Sequence, residues 1–571
     1  MTRVDNRPNQ MKLNLAHPER KTRLSISISI SIGISTGTRW RQCAVAAILV
    51  AQTGAGLVAL AQQAPAQGPA APASANPVFV IRGFNVTGEN PLPEGDTSKA
   101  LAPFLRTDAT LETLQKATQA LEAALKDKGF ALHRVVLPPQ EIGANVTLNI
   151  VKFVIGKVTV EGLANYTEAN IRASLPELKE GAAPNFRTLA VETAIANESQ
   201  GKQVQVALKE AEEADHIDAR VIVKESKPWN FSASLNNSGS NSTGNDRFTL
   251  AGSHANLFGL DHSFTGAYTT SLERTADVRQ LGLNYRVPMY RWGGVLGLSF
   301  TRSDVVGNFG AFTSTGAGQT MGVNYNHYLP PDGGYRSYFS VGLDDKLFNA
   351  TQINGVAVQT PRRSRPLTLG YNARVESDAA VWGYSSDLAF NLGGGDDNNL
   401  ASYQSEDARV TSSGWRALRG SGNYLTSFAG GWLWGVRGMF QYSPDALISG
   451  EQFGLGGSSS VRGTGERPLA GDSGLFTSVE ISTKELMPGL RLLGFVDAGW
   501  LANNNPNGNP KPANDSLSSV GLGLRYNSAS GYALSVDYGR IVGGSLLPFV
   551  PNSGIPQSGD QKFHINFTAR F

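Results

Sequence analysis

The chain has 571 residues, of which 17% are charged and 64 are glycine, and its formal net charge is +3. Low charge and high glycine without long apolar runs fit a protein of many strands and turns. Near-neutrality gives no clustered basic face for a nucleic-acid partner, and the single cysteine, Cys43, excludes an intramolecular disulfide and a cysteine-based metal site.

Residues 1–61 read as an extended signal peptide. Arg39 and Arg41 precede the apolar run Ala44–Ala61, which ends Ala59-Leu60-Ala61, so cleavage is expected after Ala61. Residues 62–77 contain Ala, Pro and Gln without charge and read as a linker. No other stretch is apolar for the ~18 residues a transmembrane helix needs.

Residues 78–153 alternate element types. Val78–Ile81 starts a strand that continues through Phe84 and Val86, and 96–105 is a short helix. Leu111, Leu114, Ala117, Leu121 and Leu125 recur at helical spacing up to Gly129, and strands follow at 132–137 and 146–153. The order is β-α-α-β-β. Residues 154–225 repeat it: a strand at 155–160, helices at 167–175 and 186–197, the second capped by Asn185, and strands at 204–208 and 217–223. Glu212 and Glu213 fall in the last hairpin and read as a solvated turn. Each module is the size of a small independent domain.

From Trp229 onward the helical periods vanish and two-residue alternation runs to Phe571. Phe264-Gly266-Tyr268 and Phe563-Ile565-Phe567 are two of its apolar faces. About sixteen strands of about ten residues are predicted over 229–571, the length a tilted strand needs to cross a bilayer. Alternate connections are short, as at 256–261 and 487–489. Those between are long, as at 393–412 and 444–473. That asymmetry belongs to outer-membrane barrels. Tyr290, Trp292, Trp415, Trp432, Trp434 and Trp500 are expected in the interfacial girdles. The fold class expected is thus a membrane all-β protein, an antiparallel transmembrane β-barrel preceded by two small α+β domains.

The long connection 444–473 carries a glycine-serine run and then Val461-Arg462-Gly463. Downstream, Gly494-Phe495-Val496-Asp497-Ala498-Gly499 forms a strand whose alternation puts Phe495 and Asp497 on one face. A carboxylate facing lipid is costly, so that face is expected to be lumenal. Arg462 and Asp497 are a candidate pair, since a guanidinium inside a barrel needs an acceptor matching its fork. Gly393-Gly394-Gly395-Asp396-Asp397 lacks calcium-loop spacing and reads as a polar surface loop. The seven histidines form no H-x-x-x-H pair. No nucleophile-base constellation, nucleotide motif or cofactor site stands out, so no enzyme is expected.

With these residues in view the chain resembles the haemolysin secretion/activation family of two-partner secretion, within the polypeptide-transporting outer-membrane barrel superfamily. The modules look like POTRA domains, POTRA 1 over 78–153 and POTRA 2 over 154–225, with the barrel over 229–571 and a pore loop at 444–473. Asn236–Ser240 with Thr243–Arg247 is similar to the family's first strand-turn-strand, Val461-Arg462-Gly463 to its loop tip, and 494–499 to its aspartate strand. Thr464 stands where the family carries Tyr or Phe, and residues 62–77 do not look like its pore-plugging helix.

The resemblance implies a bacterial outer-membrane translocator with POTRA domains in the periplasm. They would receive an unfolded partner exoprotein, of adhesin or cytolysin type, through its N-terminal secretion domain. It implies a lipid-embedded barrel inserted by the barrel-assembly machinery. It implies loop and lumen contacts at Val461, Arg462, Gly463, Phe495, Asp497 and Gly499. Two alternatives stay open here: a barrel-assembly insertase of the same superfamily, and a diffusion porin with periplasmic binding domains.

Overall fold

The computed structural model describes residues 78–571 apart from 142, 241, 306, 310, 315, 351, 354, 355, 358, 507–510 and 552. The expected signal peptide and linker lie outside the described residues. The first domain contains β1 (Gly83–Gly88), α1 (Glu94–Leu101), α2 (Leu111–Asp127), β2 (His133–Val136) and β3 (Asn145–Lys152). The sheet order is β1-β3-β2, with β1 parallel to β3. Helix α2 forms because Leu114, Ala117, Leu121 and Leu125 make one fully buried stripe, and a Thr110–Thr113 capping box starts it. The first strand begins later than its sequence suggests. The backbone of Phe79 is bonded to Ala109 instead, in both directions at 2.9 and 3.0 Å, so 78–81 ties to the loop before α2.

The second domain repeats the order: β4 (Val154–Glu161), α3 (Glu168–Ser174), α4 (Phe186–Ala196), β5 (Lys202–Glu210) and β6 (His216–Glu225), with sheet order β4-β6-β5. Asn185 caps α4 by accepting from the N–H groups of Arg187 and Thr188. Its Nδ2 donates to Lys128 O, and Phe186 N donates to Gly129 O. The donor end of α4 therefore abuts the acceptor end of α2, and unsatisfied helix-terminal groups of one domain are met by the other.

Sixteen strands close the barrel. They are β7 (Trp229–Asn236), β8 (Arg247–Leu257), β9 (His262–Thr270), β10 (Arg279–Met289), β11 (Gly294–Ser303), β12 (Gly318–Tyr328), β13 (Tyr335–Phe348) and β14, which runs as Arg362–Ser364 and Pro366–Glu376 around Arg365. Next come β15 (Ala380–Asn391), β16 (Arg416–Phe428), β17 (Trp432–Tyr442), β18 (Ser473–Ser482), β19 (Leu490–Ala502), β20 (Asn514–Asn527), β21 (Tyr532–Gly543) and β22 (Gln561–Arg570). Closure leaves no long free edge for lipid to contact. The seam is the antiparallel pair β22–β7, held by five residue pairs, against thirteen between β19 and β20. The Asn237 side chain extends that seam, accepting from Ile565 N at 2.8 Å and donating to Phe563 O at 2.7 Å.

Strand alternation turns Leu, Val and Phe outward, as at Phe563, Ile565 and Phe567, and small or polar residues inward. The turns at one end are short. Those at the other are long and carry a helix absent from the sequence expectation, α5 (Leu400–Glu406), inside 393–412. Two girdle assignments are corrected. Trp415 is buried against Phe348, Tyr403 and Leu447 in a cluster built from the long loops. Tyr290 packs with Val191 and Ile195 of α4, and its hydroxyl donates to Asp261. An aromatic at a strand end gives the same sequence signal whether lipid or another segment covers it. Trp292, Trp432, Trp434 and Trp500 remain exposed.

The second domain meets the barrel through a buried joint. Lys202 Nζ lies 2.6 Å from Asp261 Oδ2, with both side chains almost wholly excluded from solvent. Lys202 also donates to Asn170 Oδ1, and Asn170 Nδ2 donates to Gly259 O. Around this pair Val191 and Ile195 pack on Val295 and Tyr328 of the barrel. Burial pulls the Lys202 ammonium below its usual range, and the Asp261 carboxylate opposes that shift.

Candidate functional site

The connection between β17 and β18 leaves the barrel wall and folds back into the lumen. Phe453–Leu455 and Leu469–Gly471 pair as a short antiparallel ribbon, and 456–468 forms its tip. Gly456, Gly457 and Gly463 have φ of 97°, 106° and 106°, where a Cβ is disfavoured, so glycine permits this turn. Val461 is fully buried at the tip with Leu455, Phe476, Leu517 and Ile541.

Arg462 is 1% exposed and Asp497 0%. Arg462 Nε and Nη2 donate to the two Asp497 oxygens, each at 2.8 Å, and the Arg462 backbone N donates to Asp497 Oδ2 at 3.1 Å. This is the bidentate geometry in which a charge-assisted pair is strongest. Nη1 lies 2.7 Å from Glu480 and 3.6 Å from Asp537, while Nη2 donates to Ser478. The guanidinium stacks 3.4 Å from the centre of the Phe495 ring, adding a cation–π contact. Asp537 is held in turn by two hydrogen bonds from Arg525. One cation thus meets three carboxylates, on β18, β19 and β21.

The next residue fixes the tip further. Gly463 N donates to His564 Nε2 on β22 at 3.0 Å, and Gly463 lies backbone to backbone against Gly539 on β21. Thr464 is buried, and its hydroxyl accepts from Gly457 N at 3.1 Å and donates to Gly465 O. At this position it makes a polar tie inside the turn. Among the sequence-predicted contacts, Val461, Arg462, Gly463, Phe495 and Asp497 come together. Gly499 lies one step away, where a Cβ would strike Leu455. Sequence reasoning did not find Ser478, Glu480, Asp537, Gly539 and His564. Their only signal is a polar or small residue at an inward position of an otherwise lipid-facing strand.

The base of the same connection is held separately. Glu451 Oε2 accepts from Arg419 Nη2 at 2.9 Å, and Glu451 Oε1 lies 3.1 Å from Lys346. Asp472, 0% exposed, accepts from Leu447 N, Gln452 Nε2, Asn504 N and Arg409 Nη1. Among the described residues, no group of three or more His, Cys, Asp or Glu is placed to hold a metal ion.

A closed sixteen-stranded barrel with two small domains at its short-turn end, and an arginine loop folded into its bore, defines an outer-membrane polypeptide transporter. Residues 216–526 match the family model described as haemolysin secretion/activation protein ShlB/FhaC/HecB, and residues 79–152 match the POTRA domain, ShlB-type. The chain belongs to this haemolysin secretion/activation family. It is 24% identical over 447 residues to an outer membrane transporter CdiB of Dickeya dadantii, covering 75% of this chain and 77% of the relative. A CdiB of Escherichia coli is 23% identical over 455 residues, covering 74% and 73%. The solved structure of CdiB from Escherichia coli superposes with a TM-score of 0.69 at 19% identity, over 88% of this chain and 93% of that one. CdiB from Acinetobacter baumannii gives 0.66 at 19% identity, over 87% and 91%. The protein is therefore a two-partner secretion transporter of the outer membrane, with its POTRA region in the periplasm and an exoprotein as its cognate partner.

Proposed function

We propose that this transporter captures its exoprotein as an extended chain on its periplasmic domains and passes it through the barrel under the control of the loop 444–473. The partner is of adhesin or cytolysin type and presents an N-terminal secretion domain. The barrel is seated in lipid by the barrel-assembly machinery. Extended chains add to sheet edges. The outward amides of β2 are already bonded, His133 N to Phe130 O and Val135 N to Glu122, and Asn197 holds the β5 edge at Val204, so the later half of β5 is the edge proposed to receive the chain. The second β-α-α-β-β domain acts as POTRA 2.

The observation that carries the role of the loop is the burial of Arg462 among Asp497, Glu480 and Asp537. Removing a partner from a buried ion pair leaves an uncompensated charge, at a cost of about 3–5 kcal/mol. The docked loop is therefore a defined state of the pore. Arg462→Ala is expected to leave the barrel folded, as judged by heat-modifiable migration, and to cut secretion severely. Normal secretion by that variant would remove the loop from the mechanism.

A further inference from the structure

The pore loop bridges the bore and is pinned to both walls with opposite polarity. At its tip, an arginine of the loop enters an acidic wall. At its base, an acid of the loop enters a basic wall: Glu451, 2% exposed, between Lys346 on β13 and Arg419 on β16. The walls also differ in cover. Beneath the tip, Ser478, Asp497 and Ser519 are 0% exposed. On the facing wall Asn324, Ser340, Asn372, Ser385, Ser421 and Asn423 stay partly or fully open to the lumen. Those six side chains are uncharged, and Ser385 and Ser421 hydrogen-bond each other at 2.8 Å. Neutral hydroxyls and amides offer a passing backbone many weak, exchangeable partners and no ionic trap.

What sets the base apart is a pair of acids already in place beside it. Asp344 stands two residues before Lys346 on β13, on the same face, and Asp387 is the register partner of Arg419. Neither has an ion pair within 4.0 Å among the described residues. Both carboxylates rest against glycines, Gly322 and Gly370. A buried latch is costly to open when its departure strands charges. Here Lys346 and Arg419 have replacement acids on their own wall. At the tip, releasing Arg462 would break a bidentate pair to both Asp497 oxygens.

We propose that Glu451 is the releasable latch of the pore loop. On release Lys346 and Arg419 pass to Asp344 and Asp387, the loop base lifts off this wall, and the exported chain runs along its open hydroxyls and amides while Arg462 stays docked. This rests on the pore-loop reading above and assigns Glu451 as a positioning residue, acting through the loop rather than on the exported chain.

The test uses the full-length protein in planar lipid bilayers, with secretion measured in parallel. Glu451→Gln is expected to raise the open probability roughly tenfold, the shift of a two-state equilibrium that loses one bias. Lys346→Gln removes the latch from the wall side and is expected to do the same, so the prediction survives if one variant fails to fold. Asp344→Asn with Asp387→Asn withdraws the replacement acids and is expected to act in the opposite direction, with fewer openings than wild type and less secretion. A general loosening of the barrel would open the pore in all three. Wild-type open probability in the folded latch variants, or opening in the double variant, overturns the latch. If Arg462→Ala blocks secretion while the latch variants conduct like wild type, only the latch falls. If Arg462→Ala secretes normally, the pore-loop reading falls first.

Discussion

Gly539 contributes to the site by having no side chain. A Cβ there would lie 2.6 Å from Gly463 N and 2.7 Å from the Arg462 carbonyl carbon, closer than real contacts allow. The loop tip could not seat. A strand tolerates alanine at least as well as glycine, so the barrel itself has little to lose. Gly539→Ala is thus expected to reduce secretion nearly as far as Arg462→Ala while the heat-modifiable band is unchanged. Wild-type secretion would show that the tip does not depend on this seat. The site is only partly legible in the sequence, for a physical reason. Arg462 and Asp497 can be paired because both sit in short motifs and one excess lumenal charge needs another. Gly463 and His564 are 101 residues apart, and nothing local links them until strand order and register place β21 and β22 beside the tip. Glu451 is hidden in the same way, because its partners lie on β13 and β16.

Helix α4 is the element that touches everything around it. Its first turn meets the end of α2, and Val191 and Ile195 reach the barrel. Between them Glu192 is 2% exposed, with its carboxylate accepting from Glu177 N at 3.1 Å. Burial pushes this carboxyl up to about 8, against the lowering effect of that hydrogen bond. The unfolded chain loses the same proton near the ordinary value of 4.5, so between the two values the folded state holds one proton more. The stability contributed is full below about 4.5 and is lost as pH rises through about 8. Calorimetry of the full-length protein in detergent is expected to show the periplasmic domains melting lower at about pH 9 than at about pH 6, with a smaller drop in Glu192→Gln. Parallel drops in the two proteins would remove Glu192 as the cause. Elements of this kind read well from sequence when one face is apolar along several turns, as in α2. Helix α5 has seven residues and its buried members, Ser402 and Tyr403, make no stripe, so it passes for loop. Trp415 passes for a girdle residue because covering by α5 and the 444–448 segment is a tertiary fact.

For the whole molecule, the first domain stands farthest from the barrel along the chain, with the fewest ties to it. Deleting 78–153 is expected to abolish capture of the exoprotein's N-terminal region in a pull-down while leaving a folded barrel. Retained capture would move recognition to the second domain or the barrel. The second domain cannot be treated as a detachable part in the same way. Lys202 and Asp261 are 59 residues apart, on the domain and on the first short turn of the barrel. Neither reaches its buried position alone without stranding a charge. Biogenesis is therefore expected to follow an order in which the domain finishes settling once the β8–β9 hairpin has formed against it. A chain whose β8–β9 hairpin is misplaced leaves the Lys202 ammonium without its buried partner Asp261.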